Sequence, residues 1–208
     1  PAGLPAGADL HAAAHPVPDA AGLAAGEAVI AALAQCDARD RVLALISGGG
    51  SALLPAPVAG LTLADKAAVS AALLASGADI TEMNLVRQQL SRLKGGGLLR
   101  AAAPAPVTAL ILSDVIGDDL SVIASGPTAP PIGDHARARA LLQARGIWKA
   151  MPAPVCAHLE QPDLGHDAGP GPVPPARNHL IGANSVSLRA MHDAAPDAQM
   201  HNAPLVGD

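Results

Sequence analysis

The sequence predicts an α/β domain with a mainly parallel sheet. Val42–Ile46 and Val107–Leu112 are short, continuous apolar runs, which are typical of strands buried on both faces of a parallel sheet. Longer segments with apolar residues at helical spacing separate these runs. Such alternation of strand and helix along the chain indicates parallel strands joined by helical connections.

The first elements come before and around the first apolar run. Leu10–Ala14 is a weak strand candidate. His15–Asp19 is predicted to be a turn, because its two prolines fix their own φ and push the residues before them out of the helical region. Apolar residues near helical spacing predict a helix over Ala20–Gln35. The strand Val42–Ile46 then ends in the glycine-rich segment Ser47–Ser51.

Two helix starts follow that segment, each marked by a pair of polar residues three positions apart. Thr62 and Asp65 have the spacing of a capping box and predict a helix that runs to about residue 75. Asp79 and Glu82 repeat this spacing and predict a second helix, to about Leu93. Three glycines at 95–97 are expected to end it.

The rest of the chain repeats the alternation. Val107–Leu112 is a predicted strand, a short helical piece is expected after residue 119, and Asp134–Arg145 is a predicted helix. Gln161–Pro175 is rich in Pro and Gly and is predicted to be a surface loop. His179–Ile181 is a predicted strand that leads into a helix from Asn184 to about residue 195. The whole pattern predicts a three-layer, Rossmann-like domain.

Composition excludes several classes of protein. Of 208 residues, 50% are apolar and 15% charged, so the chain is not of the disordered, highly charged type. A net charge of −5 and the absence of Phe and Tyr argue against a nucleic-acid partner. No apolar run reaches the roughly 18 residues of a membrane span, so no membrane partner is expected. Two cysteines do not make a disulfide scaffold and favour the reducing cytoplasm. A homo-oligomer stays open.

Ser47, Gly48, Gly49, Gly50 and Ser51 form the first candidate site, at the end of a predicted strand. Three glycines allow several backbone N–H groups to point at one spot, which is a nest for a phosphate or a carboxylate. The alternative is a tight strand-to-helix turn without a ligand. No Lys completes a phosphate-binding Walker loop, and Leu53 stands where the dinucleotide fingerprint needs its last glycine.

Asp114, Asp118 and Asp119 form the second candidate site, directly after the strand Val107–Leu112. Their carboxylates could hold Mg²⁺ through oxygen ligands. Asp114 could equally orient or deprotonate a hydroxyl nucleophile. The alternative for Asp118 or Asp119 is that one of them caps the following helix.

Three further polar residues are candidates for binding an anion. Asn84 and Arg87 are three residues apart and so share one face of a helix. They could reach an anion or be solvated. Lys94, next to the glycines at 95–97, could contact phosphate or complement the C-terminal end of its helix.

Four segments of the chain, in order, resemble motifs of the glycerate 2-kinases that carry a MOFRL domain. His15–Asp19 resembles their GHPxPD segment, and Ile46–Leu54 resembles their SGGGSALL loop. Glu82–Gly96 is similar to their E-x-N-x-V-R-x-x-L-S-x-x-K-G-G stretch. Residues 112–119 and 123–128 resemble their LSDVxGDD…IASGPT. Together these motifs cover about residues 14–131.

The resemblance implies ATP-dependent phosphorylation of D-glycerate at its 2-hydroxyl, giving 2-phosphoglycerate, with Mg²⁺. The loop Ser47–Ser51 would then cradle phosphate or carboxylate oxygens, and Asp114 would lie near the reacting hydroxyl or the metal. Arg87 and Lys94 would counter negative charge, and Asp118 would join Asp114 as a metal ligand. Phosphoryl transfer needs such positioning and charge neutralisation more than covalent help.

Two departures from that family lead to further expectations. Its members carry an earlier G-A-G-K-A segment and a later G-G-R-N-type segment, and neither occurs here. Residues 1–208 are therefore expected to be a partial N-terminal domain, truncated at both ends, with the C-terminal MOFRL domain absent and negligible kinase activity alone. The alternatives are an oxidoreductase acting on hydroxypyruvate, which the missing dinucleotide fingerprint disfavours, and a non-catalytic remnant domain.

Overall fold

Three parallel strands form the sheet of the computed structural model, which describes residues 7–162 and 176–194. They are β1 (Val42–Ile46), β2 (Val107–Leu112) and β3 (Arg177–Gly182), in the order β1-β2-β3. β1 and β2 have the bounds predicted from their apolar runs, and β3 contains the predicted strand 179–181. Ile46 pairs with Ile111, so β1 and β2 end at the same edge. The prediction of an α/β domain with a parallel sheet is confirmed.

One face of the sheet carries its buried side chains. Val107, Ala109 and Ile111 of β2 are buried, and alternate residues of β1 pack beside them. On the opposite face, Leu43 and Leu45 are 61% and 73% exposed. The expectation that β1 is buried on both faces is therefore wrong for the described part of the chain, because the buried clusters there cover only one face.

Eight helices lie in the described residues. They are α1 (Ala20–Leu33), α2 (Gly50–Leu53), α3 (Leu63–Ala75), α4 (Ile80–Gln89), α5 (Gly97–Ala102), α6 (His135–Ala144), α7 (Ala153–Glu160) and α8 (Asn184–Ala194). Two short 3₁₀ segments, Ile123–Ser125 and Trp148–Ala150, join them. None of these helices is long and apolar enough to cross a membrane.

The helices α3, α4, α6 and α7 pack together into a second core beside the sheet. Leu73 of α3, Val86 of α4, Leu142 of α6 and Val155 of α7 are completely buried within it. Fully burying such a side chain contributes about 1.5–3 kcal/mol. This core fixes α3 and α4 in place, and both helices supply residues to the candidate site described below.

Both predicted capping boxes are present. Thr62 Oγ1 accepts from the backbone N–H of Asp65 at 3.1 Å, and Asp79 Oδ1 accepts from that of Glu82 at 2.9 Å. The helix predicted to run to about residue 93 ends at Gln89 instead. Residue 91 forms an isolated antiparallel bridge with residue 57, so the backbone leaves the helix to pair with a distant segment.

Other expectations differ from the structure at the level of whole elements. Leu10–Ala14 forms no strand, and Leu10 is exposed. Neither α5 nor α7 is predicted from the sequence. The three glycines at 95–97 were expected to end a helix, but Gly95 and Gly96 take positive φ and turn the chain directly into α5. The predicted surface loop lies outside the described residues from position 163 on.

Candidate active site

The two candidate loops lie side by side at the carboxyl edge of the sheet. The segment Ser47–Ser51 follows β1, and Asp114 follows β2. A Cβ placed on Gly48 would lie 1.9 Å from Asp114 Oδ2 and 2.4 Å from its Cγ. The Asp114 side chain therefore occupies the space that a side chain at position 48 would need. Only glycine allows this contact between loop and carboxylate.

The turn around His15 covers the other side of the glycine-rich loop. Gly49 has a left-handed backbone, with φ of 77°, and a Cβ there would lie 3.3 Å from His15 Nε2. Ser51 follows within the short helix α2. The loop thus has Asp114 on one side and His15 on the other.

A cavity of about 390 Å³ opens between this loop, the turn at His15 and the helices α3 and α4. Its volume lies within the range of small-molecule sites. Its polar lining residues are His15, Ser51, Lys66, Ser70, Arg87 and Lys94, and no Asp or Glu from the described part of the chain lines it. Three basic side chains without a carboxylate among them give the cavity the charge of an anion site.

Lys94 is the most deeply buried of these basic residues. Its Nζ donates to the backbone oxygen of Ser51 at 2.8 Å and contacts Ser51 Oγ. No carboxylate pairs with it in the described part of the chain. Burial, together with the charges of Lys66 and Arg87, holds the pKa of Lys94 well below its ordinary value of 10.5. Lys94 therefore reaches the glycine-rich loop, as its predicted role in anion binding requires.

Lys66 and Arg87 face the same cavity from two helices. Lys66 Nζ, on α3, donates to the backbone oxygen of Leu90 at 3.0 Å. Burial, reinforced by the charge of Arg87, lowers the pKa of Lys66 to about 7. Arg87 Nε, on α4, lies 3.4 Å from Ser70 Oγ, and burial lowers the pKa of its guanidinium. A bound anion would offset the cost of burying these groups.

Asn84 does not line the cavity, although it shares a helix face with Arg87. It is 2% exposed, and its Oδ1 accepts from Ser125 Oγ at 2.8 Å. Its Nδ2 is buried without a partner. Ser125 Oγ in turn lies 2.9 Å from Ser51 Oγ. The contact that the structure gives Asn84 is thus with a serine behind the loop, and its predicted contact with an anion stays a prediction.

The backbone around Ser125 is strained. Residues 124, 125 and 126 all have positive φ, at 50°, 63° and 65°, and only the last is glycine. Strain of this kind costs on the order of 1–3 kcal/mol per residue and persists where the surroundings enforce it. Here Gln88 Nε2 and the N–H of Gly95 both donate to the backbone oxygen of Ser125. These bonds hold the Ser125 hydroxyl against Ser51.

The other two acidic candidates, Asp118 and Asp119, have different hydrogen-bond partners. Asp119 Oδ1 accepts from both the backbone N–H and the hydroxyl of Ser121. The 3₁₀ segment that follows, Ile123–Ser125, has no side-chain cap, so the alternative that Asp118 or Asp119 caps this helical piece is wrong. Asp118 has a left-handed backbone, and its Oδ2 accepts from Ser185 Oγ at 3.3 Å. No group of three or more His, Cys, Asp or Glu side chains in the described residues could hold a metal. Mg²⁺ usually binds through only one or two carboxylates, so the metal site at Asp114 and Asp118 stays a prediction.

Sequence reasoning missed Lys66 and Ser125. Lys66 lies three residues before Val69 and seven before Leu73, both buried, so helical spacing already places it on the inner face of α3. A lone lysine on a buried helix face is a pattern that could have predicted Lys66 as a site residue. Ser125 has no such signal, since it meets Ser51 across 74 residues of sequence.

Replacing Lys66 with Met should flatten the pH dependence of the free energy of unfolding between pH 7 and 10.5. The folded-state pKa of Lys66 is about 7 and its ordinary value is 10.5. Between these values the unfolded chain binds more protons, so the wild type loses stability as the pH falls through this window, and the loss is complete below pH 7. Met binds no proton, which removes this contribution.

Urea unfolding at several pH values across this window measures the effect. Lys94 contributes in the same direction, so the slope should decrease rather than vanish. An unchanged slope in Lys66→Met would contradict the burial of a titrating lysine at this site.

The chain matches one known protein family and is similar to several known proteins. Residues 4–160 match the family described as Domain of unknown function (DUF4147). Glycerate kinase of Rattus norvegicus is 45% identical over 172 residues, which cover 83% of this chain and 33% of the relative. A protein of Agrobacterium vitis, provisionally named a hydroxypyruvate reductase, is 46% identical over 208 residues, covering 98% and 45%.

Solved structures share the fold. The crystal structure of a glycerate kinase from Thermotoga maritima has a TM-score of 0.80 at 37% identity, and the match covers 89% of this chain and 43% of that one. A protein from Pyrococcus horikoshii has a TM-score of 0.79 at 36% identity, with the same coverage. The chain spans less than half the length of each of these relatives.

Proposed function

The chain belongs to the DUF4147 family, which it shares with glycerate kinases, and we propose that it supplies the active-site cavity of an ATP-dependent kinase that phosphorylates D-glycerate at the 2-hydroxyl. One observation carries this proposal. Lys66, Arg87 and Lys94 converge on a cavity that no described Asp or Glu lines, beside the glycine-rich loop that Asp114 contacts at Gly48. Both substrates of such a kinase are anions, and the reaction concentrates negative charge at the transferred phosphoryl group.

The three basic side chains would bind different anionic groups of the substrates. The guanidinium of Arg87 suits the carboxylate of glycerate, because two N–H groups can meet two oxygens in one plane. Lys66 and Lys94 would neutralise further negative charge from the carboxylate or a phosphate. The backbone N–H groups of Ser47–Ser51 would cradle phosphate oxygens, which accounts for three consecutive glycines.

Asp114 would serve the reacting hydroxyl. A carboxylate within hydrogen-bond distance of the 2-hydroxyl orients it and accepts its proton as the phosphoryl group is transferred. Gly48 lets Asp114 lie against the phosphate-binding loop, so the same contact would bring hydroxyl and phosphoryl group together.

The donor set also fits Mg²⁺. Asp114 and Asp118 supply hard oxygen atoms, which is the ligand type that this cation prefers. Both residues follow β2 at the edge where the phosphates would lie. When bound, the metal supplies charge neutralisation at the phosphate oxygens.

Two further parts of the proposal concern the whole protein. A second domain of the MOFRL type, which the resemblance implies, would close the cavity and complete the kinase. Cys36 and Cys156 are both free, which suits a cytoplasmic location.

The name of the Agrobacterium vitis relative favours a second candidate, a reductase acting on hydroxypyruvate. Such an enzyme needs a nicotinamide cofactor. The loop after β1 has Leu53 where the dinucleotide fingerprint has glycine, and no other strand here is followed by that fingerprint.

A pair of assays on the full-length protein separates the two functions. We expect ADP to be released when ATP, Mg²⁺ and D-glycerate are supplied, and no oxidation of NADPH with hydroxypyruvate. The position of the phosphate follows from treating the product with enolase, which acts on 2-phosphoglycerate and not on 3-phosphoglycerate. Oxidation of NADPH without release of ADP would refute the kinase proposal.

A further inference from the structure

Ser51, Lys94 and Ser125 form a cluster whose chemistry goes beyond binding an anion. Lys94 Nζ contacts Ser51 Oγ and lies 3.4 Å from Ser125 Oγ. The two hydroxyls are 2.9 Å apart. Ser51 and Lys94 both line the cavity, so a small molecule that enters it reaches them directly.

The hydrogen bonds indicate which group in this cluster can take up the proton of Ser51. Ser125 Oγ donates its proton to Asn84 Oδ1, so it has no proton to give to Ser51 Oγ. A neutral hydroxyl such as that of Ser125 is also not a base. The amine of Lys94 is then the basic group next to Ser51 Oγ.

We propose that Ser51 and Lys94 form a serine–lysine dyad, in which Ser51 Oγ is a nucleophile toward small acyl donors and Lys94 Nζ takes its proton. Ser51 Oγ attacks the carbonyl carbon of an ester and passes its proton to Lys94. The bond to the leaving alcohol breaks, and the alcohol takes that proton. Water then cleaves the acyl-serine, giving one proton to Lys94 that returns to Ser51 Oγ. This activity does not depend on phosphoryl transfer.

The surroundings favour the unprotonated amine that such a dyad needs. Lys94 is 5% exposed and has no carboxylate partner in the described residues. Lys66 of α3 and Arg87 of α4 face it as further basic groups, and His15 lines the same cavity. Burial lowers the pKa of Lys94 most, and the positive charges of Lys66 and Arg87 lower it further. The inference concerns the cavity without a bound anion, since an anion favours protonated Lys94.

The same basic groups determine which acyl donors the cavity suits. Attack on an ester places negative charge on the carbonyl oxygen and then on the leaving group. Arg87 and Lys66 lie on the cavity wall, where they would stabilise both charges. The cavity therefore suits esters of short acyl groups, whose leaving oxygen becomes negatively charged as the bond breaks and then takes the proton from Lys94.

Labelling of the full-length protein with phenylmethanesulfonyl fluoride tests the dyad. Ser51 Oγ should displace fluoride and form a sulfonyl ester, seen as one added group by intact mass and placed on Ser51 by peptide mapping. The labelling rate should rise with pH around a midpoint below the 10.5 of an ordinary lysine. Hydrolysis of p-nitrophenyl acetate should follow the same profile.

Three variants make the result specific. Ser51→Ala should lose the label, whereas Ser70→Ala should keep it, because the Ser70 hydroxyl lies beside the Arg87 guanidinium, which cannot take up a proton. Lys94→Met should slow labelling by about 100-fold, the lower range for loss of a positioned base. Met replaces the apolar stem of Lys as far as Cε and leaves no carboxylate unpaired, so we expect the variant to fold, which thermal unfolding checks.

Two outcomes would overturn the dyad. One is a folded wild type that gains no label on Ser51. The other is a folded Lys94→Met that labels at the wild-type rate.

Discussion

Asp114→Asn should reduce kcat for D-glycerate phosphorylation by about 1,000-fold in the full-length protein, within the range for a positioned acid–base group. Asn has the size and shape of Asp, so it still fits against Gly48 where a Cβ would be only 1.9 Å away. It neither takes up the proton of the 2-hydroxyl nor carries the charge that holds a cation. Packing is preserved and the chemistry is lost, so kcat should fall with little change in thermal stability.

Asp40→Asn is the matched control. Asp40 is exposed and precedes β1, at the amino end of a strand whose carboxyl end carries the site. Its side chain caps only the N–H of Asp37. We expect kcat of this variant to equal that of the wild type. If Asp114→Asn also stays within twofold of the wild type, Asp114 does not serve the reacting hydroxyl.

Gly48→Ala should reduce kcat by about 100-fold without removing any functional group. The added Cβ would lie 2.4 Å from Asp114 Cγ and 3.0 Å from Asp114 Cβ. Aspartate is too short to fold away while keeping its carboxylate in place, so either the loop or the carboxylate must shift. A displacement of about 1 Å at a reacting group costs on the order of 100-fold. Overpacking should also lower the free energy of unfolding by about 1–3 kcal/mol.

Gly60→Ala separates the clash from the general cost of replacing a glycine. Gly60 has φ of 83°, and a Cβ there would meet no atom within 4 Å. Backbone strain should lower its stability by about 1–2 kcal/mol and leave kcat unchanged. In the double variant Gly48→Ala with Asp114→Asn, kcat should be no lower than in Asp114→Asn alone, because both changes act on one carboxylate. Additive losses would show that Gly48 acts elsewhere.

Local patterns account for most of what could be predicted about the fold. Continuous apolar runs correctly predicted the bounds of β1 and β2, although β1 is covered on only one face in the described residues. Capping boxes marked the starts of α3 and α4, because the bonds involved lie within four residues. The end of α4 depends on the bridge to Pro57, more than 30 residues away, and no local pattern carries that information.

Part of the candidate site could be predicted from the sequence, and part could not. Loops that follow parallel strands must meet at one edge of the sheet, so the proximity of Gly48 and Asp114 followed from the predicted topology. Lys66 and Ser125 reach the site through packing of α3 and of a strained turn between distant segments. Asn84 shows the converse case. It lies on the same helix as Arg87, as the spacing predicts, but its side chain contacts Ser125 behind the loop.

The central claim is that the cavity lined by Lys66, Arg87 and Lys94, beside the glycine-rich loop that Asp114 contacts at Gly48, is where glycerate receives the phosphoryl group. The most direct test is a crystal structure of the full-length protein with D-glycerate and a non-hydrolysable ATP analogue. The glycerate carboxylate should be bonded to Arg87, its 2-hydroxyl should face Asp114, and the terminal phosphate should lie on the loop Ser47–Ser51. Ligands bound at another edge of the sheet, with this cavity holding neither, would contradict the account.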